Sequence, residues 1–247
     1  MDSIADDQHG ASRITGVGVL DRAMTLLELL ADGPRSLRWL SEHSALPRPT
    51  AHRLLVALEA HGLAARDASG AFRLGPRLTE LAFRADPALD LAALAGPVLA
   101  RLHDQTGESV QLYVRSGDKR LCIAARDSGT GLRDSVPVGA LLPLAAGSGG
   151  KVLIAWSADA SRFDTVPAAD LAAIRDRGWA ASVAEREPGV ASVSAPILRA
   201  DGTVAAAVCV SGPVSRLGQA PGRRLSPAVV AAARDLAAEL AASGPAR

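Results

Sequence analysis

Arg48, Pro49, Thr50, His52 and Arg53 crowd the front of a run in which Leu54, Leu55 and Leu58 recur at helical spacing. An arginine in the first turn of a helix can pair bidentately with guanine or hold a phosphate, and Arg53 one turn later can do either. An apolar stripe for packing and a polar front turn left free make the recognition half of a helix-turn-helix. A second group, Ala146-Gly147-Ser148-Gly149-Gly150-Lys151, sets one hydroxyl and one amine among small residues. A phosphate loop would need Gly at position 145 and Ser or Thr at 152, and the chain has Ala145 and Val152. Ser148 and Lys151 share the bare S-x-x-K spacing of serine acylases, but the companion motifs and any G-x-S-x-G elbow are absent. The favoured expectation is a ligand cradle. Gly147, Ser148 and Gly149 bring backbone N–H groups close, and the start of the helix that follows favours an anion such as a carboxylate.

The elements that must position the first group lie between Ser36 and Gly75. Asp21 is placed to cap a helix carrying Ala23, Met24, Leu26, Leu27 and Leu30, which Gly33-Pro34 ends. Ser36 caps a second helix with Leu37 and Leu40 inward, and Ser44-Ala45-Leu46-Pro47 breaks the chain before the third, which runs from Pro47 to a His61-Gly62 stop. Leu63–Arg66 and Ala71–Leu74 are short strands around Asp67-Ala68-Ser69-Gly70, a turn composition. Three helices and a hairpin make a winged helix, with Arg66 and Arg73 on the wing suited to the minor groove or backbone. From Arg35 to Arg77 seven arginines face three acids, a local excess of +4 on a chain whose formal net charge is +1. That asymmetry fits a phosphate-facing surface.

Residues 1–15 are polar and acidic, with no apolar segment of a secretion signal, and are expected to be a disordered tail. No apolar run approaches the ~20 residues of a membrane span. Cys122 and Cys209 each lie in an apolar strand-like run, the setting of a buried free thiol, and their spacing makes no metal motif. His43, His52 and His61 recur at intervals of nine, which scatters them over different faces or helices, so neither metal nor cofactor is expected. These observations point to a cytoplasmic protein.

Beyond the wing, Pro76 to about Ala85 is helical, and Asp86-Pro87 either interrupts it or kinks it before a helix begins at Asp90. From Ser109 the pattern changes to period two. Val110, Leu112 and Val114 alternate with Gln111, Tyr113 and Arg115, and strands are expected at Arg120–Arg126 and about Leu132–Val138. Leu141–Gly150 is expected as a loop and Lys151–Trp156 as a short helix, with a further helix around Leu171 and Ile174. Val193–Arg199 and Val204–Ser211 flank an Asp201-Gly202 hairpin signal, and a last helix runs from Ser226 to about Ala242. Hairpins instead of alternating βαβ units predict an antiparallel sheet with helices packed on it, an α+β domain. The expected organisation is a winged helix at 16–78, a linker helix at 79–90 and a second domain at 91–247.

In these motifs the chain resembles the IclR (isocitrate lyase regulator) family of transcription factors. Leu46–Leu55 is similar to the family's recognition-helix motif and Phe72-Arg73-Leu74-Gly75-Pro76 to its wing exit. Downstream the match continues through Leu142-Pro143-Leu144, Gly150-Lys151-Val152-Leu153, Glu187-Pro188-Gly189-Val190, Ala195-Pro196-Ile197 and Ser211-Gly212-Pro213. The resemblance implies an N-terminal winged helix-turn-helix and a C-terminal GAF-like effector-binding domain. It further implies a homodimer or homotetramer on palindromic double-stranded DNA, answering to a small organic acid or aromatic effector. The implied pocket adds Leu141, Leu144, Glu185 on a flanking strand, Ser192, Cys209 and Ser211 to the cradle. Ser157–Leu171 departs from the family by being shorter, lacking a helix or part of one, which alters one pocket wall. The function expected is a DNA-binding regulator, more a repressor than an activator, with no catalytic residue. Two readings of other classes stand beside it: a sensor whose winged helix engages protein, and an acyl-transferring enzyme built on Ser148 and Lys151.

Overall fold

The computed structural model describes residues 15–85, 90–128 and 134–243, and the chain divides into two compact units, 1–85 and 86–247. The tail expected at 1–15 and the Asp86-Pro87 interruption therefore lie almost wholly outside the described residues.

The first unit holds α1 (Gly18–Leu29), α2 (Leu37–His43), α3 (Arg48–Ala60), the hairpin β1 (Ala64–Arg66) and β2 (Phe72–Leu74), and α4 (Pro76–Ala85). Ser36 caps α2 by accepting from the Trp39 amide at 3.2 Å. Asp21 does not cap α1. Val17 holds that position, and Asp21 sits in the first turn, where it accepts from the amide and hydroxyl of Thr15. The helix-turn-helix break needs a left-handed residue, which Ala45 supplies with φ +54°. Leu26, Leu30, Leu40, Ala51, Leu55 and Phe72 close the core, while Leu54 is only partly buried at its edge. Arg35 exchanges two backbone hydrogen bonds with Phe72, which ties the wing to the start of α2. Gly75 turns the chain out of the wing so tightly that a Cβ there would lie 2.1 Å from the Gly62 carbonyl oxygen.

The second unit is a six-stranded antiparallel sheet in the order β5-β4-β3-β8-β7-β6. Its strands are β3 (Ser109–Ser116), β4 (Lys119–Arg126), β5 (Leu141–Pro143), β6 (Ala180–Val183), β7 (Val190–Leu198) and β8 (Val204–Pro213). Both faces are covered. On one, α5 (Asp90–Thr106) and α9 (Gly222–Ser243) bury Val110, Leu112, Val193, Val208 and Val210. On the other, α6 (Ser148–Ala155) and α7 (Ala168–Arg177) cover Tyr113, Cys122, Ala207 and Cys209. The alternation in β3 is thus between two interiors, so Gln111 and Tyr113 are buried as fully as their apolar neighbours. A short α8 (Val214–Leu217) carries Arg216, which holds the buried Glu108 carboxylate through two bonds of 2.8 and 2.7 Å. Gly212 leaves room for that carboxylate, which a Cβ would approach to 2.3 Å.

Four sequence expectations need correction. The strand expected near Leu132–Val138 is irregular from Asp134 onward, and its earlier residues up to 133 lie outside the described part. The edge strand comes instead from Leu141–Pro143, which pairs with Lys119–Leu121 in a stretch expected as loop. α6 begins at Ser148, not Lys151, so both glycines belong to its first turn. Strand β6 had no alternation long enough to show, and Glu185 falls in the bend after it instead of on a strand. In the segment 157–171 there is a single 3₁₀ turn, Ala160–Arg162, beside which Asp159 is gripped bidentately by Arg115 at 2.5 and 2.7 Å. The hydrogen bond from Arg115 holds the Asp159 carboxyl below the usual carboxylate range.

Burial sorts the leucines of α3. Leu55→Ala is expected to destabilise the first unit by roughly 2–5 kcal/mol through the cavity it leaves, with Val56→Ala near neutral. Amide hydrogen exchange of α3 in the full chain checks this, and equal protection in the two variants would contradict it.

Candidate DNA-reading face and effector cavity

On α3, Ala51, Leu55 and Leu58 face the core, which turns Arg48, Pro49, His52, Arg53 and Val56 outward along one side. Thr50 is half-buried at the boundary. Among the described residues the side chains of Arg48, His52 and Arg53 have no hydrogen-bond or ion-pair partner, so their donors point to solvent. Val56, 41% exposed, extends this face and was not singled out from the sequence. An apolar side chain one turn behind arginines suits contact with a thymine methyl, and its clue was an outward valine in an otherwise polar stripe. The two wing arginines differ. Arg73 is exposed, whereas Arg66 stacks over the Phe72 ring at 4.5 Å and pairs with Glu59 of α3 at 3.2 Å. Arg66 therefore braces the wing against α3. The wing tip is held by Asp67, which accepts from the amides of Ser69 and Ala71.

The second site lies where the N-terminus of α6 meets the sheet. Every second residue of Ala191-Ser192-Val193-Ser194 points to the α6 side, and pairing sets Ser192 opposite Ser182 and Ser211, and Ser194 opposite Cys209. Ser148 drops into this row. Its hydroxyl lies 2.7 Å from both Ser192 and Ser194, its amide donates to Ser182, and Ser182 meets Ser192 at 2.8 Å. The glycines allow this approach. A Cβ on Gly149 would come within 3.2 Å of the Tyr113 ring, and one on Gly150 within 1.9 Å of the Leu144 carbonyl oxygen. Gly147 takes φ +83° as the cap of α6.

A cavity with ≈ 20 Å³ of free space opens here, walled by Gly147, Ser148, Gly149, Ser182, Ser192, Cys209 and Ser211 together with Tyr113, Arg120, Asp134 and Arg186. Six of the nine residues expected for the pocket are thus brought together. Leu141 is not, being half exposed on the edge strand, and Leu144 is fully buried in the apolar core beneath. Glu185 sits at the rim, accepting from the Gly147 amide at 3.2 Å and pairing with Lys151. With Lys151 bound there and Ser148 held among hydroxyls, no base reaches Ser148, and the acylase arrangement is not formed. Among the described residues no group of three or more His, Cys, Asp or Glu side chains could hold a metal ion.

Arg120 is among the cavity residues that were not singled out from the sequence. It is 3% exposed, and its Nη1 donates to the carbonyls of Pro143 and Ala146, while Nε has no partner. No carboxylate pairs with it among the described residues. Burial lowers its pKa from the ordinary guanidinium value, and the nearby Arg186 acts in the same direction. Its clue was periodicity, because Arg120 stands two residues before the buried Cys122 on the same face of β4.

The family follows from comparison. The model for the IclR helix-turn-helix domain matches residues 19–68, and that for the bacterial transcriptional regulator IclR C-terminal domain matches 85–166 and 168–238. The chain belongs to the IclR family. It is 34% identical to the transcriptional regulator BhcR of Paracoccus denitrificans over 92% of this chain and 88% of that one. It is 30% identical to the DNA-binding transcriptional repressor YiaJ of Escherichia coli, over 84% and 82%. A regulator structure from Rhodococcus sp. RHA1 superposes with a TM-score of 0.72 at 26% identity, covering 92% of this chain and all of that one. An IclR homologue from Microbacterium hydrocarbonoxydans, solved with 4-hydroxybenzoate, gives 0.71 at 27% identity, over 91% and 99%. IclR-family relatives are transcriptional regulators and not enzymes, and the α+β fold with its N-terminal helix-turn-helix agrees. Among the described residues no helix is long and apolar enough to cross a membrane.

Both thiols of the chain are buried, and burial pushes Cys122 up to about 12 and raises Cys209 as well. A thiol reagent at about pH 8, near the pKa of a free thiol, should therefore find neither cysteine in the native protein and both after denaturation. Rapid labelling of the native chain would contradict the packing described.

Proposed function

We propose that this IclR-family regulator binds a palindromic operator through paired α3 faces and releases or grips it according to a small monocarboxylate bound at Arg120. The observation that carries the effector reading is the buried guanidinium of Arg120, paired with no carboxylate among the described residues, in a cavity lined by serines beside the Arg186–Asp134 pair. A buried cation without a counter-charge is costly, and an anion that supplies one is bound for that reason. The N-terminus of α6 adds the Gly149 amide, those of Gly147 and Ser148 being engaged by Glu185 and Ser182. The free space is about that of one or two waters, which favours a short aliphatic acid over an aromatic one such as the 4-hydroxybenzoate held by the Microbacterium homologue.

For DNA, the support is the unpartnered row Arg48, His52 and Arg53, with Pro49, Thr50 and Val56 beside it and Arg73 on the wing. The layout proposed keeps the DNA-binding domain at 16–78, a linker helix at 79–90 and the effector domain at 91–247. The chain acts as a homodimer or homotetramer and as a repressor. Effector binding resets the spacing of the two recognition helices through the helices between Pro76 and Gln105. Such a shift is limited to the effector's differential affinity for the two states.

Gel shifts with the intergenic DNA upstream of the gene test both halves. Arg48→Ala should weaken operator binding by roughly 1–3 kcal/mol and relax the preference at one base pair. Arg120→Met should keep operator binding and weaken the carboxylate response by about ten- to a hundred-fold, the loss of a charged hydrogen bond. Wild-type behaviour in either variant would refute the corresponding half, and absence of any DNA binding would favour a protein partner for the winged helix.

A further inference from the structure

Outside the small cavity lies a second, open cleft of ≈ 350 Å³. Asp134, Arg186, Glu187 and Val190 line both, so they form the partition between the interior and solvent. The centre of that partition is an ion pair. Arg186 Nη2 lies 2.5 Å from Asp134 Oδ1, with side chains 20% and 10% exposed. Glu187, which also touches Arg186 at 3.3 Å, is 59% exposed and largely solvated. Lys151 and Glu185 at the rim satisfy each other. Among the described residues the buried charges facing the cavity are therefore Arg120 and Arg186 against Asp134, an excess of one positive charge, with Glu187 at the exposed edge.

Resting on the carboxylate reading of Arg120, we propose that the Arg186–Asp134 pair is the door of the effector cavity and that an entering carboxylate takes Arg186 over from Asp134. The outer cleft is then the vestibule in which the anion first meets Arg186. Opening parts the ion pair, which in a half-dry site has a real barrier, and the incoming carboxylate lowers that barrier by replacing Asp134. Once inside, the ligand lies between two guanidiniums, where a single carboxylate can accept from both. A cation or a neutral acid amide gains nothing from either step, so Arg186 selects for charge at the door as Arg120 does within. The excess of one charge further selects a monocarboxylate over a dicarboxylate.

The test measures exchange of ¹³C-labelled acetate with the full chain by NMR, for the wild type, Asp134→Asn and Arg186→Gln. Asp134→Asn keeps the shape of the side chain and loosens the door, so association should quicken by about ten-fold, equivalent to ~1.4 kcal/mol off the opening barrier, with affinity kept or improved. Arg186→Gln should also speed association but weaken binding, because the second cation is gone. Rates indistinguishable from wild type in both variants, with acetate still bound, overturn the door alone. Acetate binding by neither wild type nor variants overturns the carboxylate site and the door together. Weaker binding by Asp134→Asn with unchanged association would show Asp134 to be a structural support, and also overturns the proposal.

Discussion

A guanidinium enclosed between a sheet and the helix laid upon it must find acceptors for its protons and a counter-charge for itself. Among the described residues Arg120 finds acceptors for Nη1 alone, and no carboxylate pairs with it. Its two carbonyl acceptors, on Pro143 and Ala146, lie on the edge strand and in the turn that leads to α6, so the same contacts fix that turn against the sheet. The helix then comes down close enough that Gly150 admits no side chain and Gly149 only a tight one, and Ser148 is pressed into the row of serines on β6 and β7. The turn before α6 is thus fixed by one buried cation, and the glycines and serines complete the fit of that helix on the sheet. Under the proposed function the counter-charge is left for a ligand, and the cavity's size limits which ligands qualify.

The first unit solves a different problem with similar means. A recognition helix must present donors to DNA without offering them to its own neighbours. Here the acids nearest the recognition face are engaged elsewhere. Glu59 pairs with Arg66, and Glu42 pairs with Arg38 across one turn of α2. Exposed pairs such as these contribute little to stability, but they keep carboxylates from neutralising the outward arginines. The local charge excess is modest, which under the proposed function leaves the affinity for DNA to the pairing of two units.

Much of this was written in short-range patterns. Caps and breaks at Ser36, Ala45 and Gly62 specify local backbone geometry, so the winged helix could be traced from residues a few places apart. Of the serine row, Ser148 came from the glycine-rich run and Ser192 and Ser211 from the family resemblance, while Ser182 and Ser194 join it through strand pairing and the close approach of α6. What escaped depended on partners far away in the chain. Arg120 was only the first residue of an expected strand, since nothing nearby in sequence says that α6 covers it. Leu141 and Leu144 were assigned to the pocket as loop residues, but pairing with β4 turned one out to solvent and the other into the core. Glu185 reached the rim only because β6 ends two residues earlier. Asp134 and Arg186, fifty-two positions apart, meet through tertiary structure alone.

The proposed role of Arg120 as a cation that takes an anion is read directly from its Nε–Hε resonance in a ¹⁵N NMR spectrum of the full chain, assigned by its loss in Arg120→Met. Titration with sodium acetate should move this resonance saturably toward the position of a carboxylate-bonded guanidinium, while sodium chloride at equal ionic strength leaves it in place. A resonance that ignores acetate, or that already sits at the carboxylate-bonded position without it, would contradict the account.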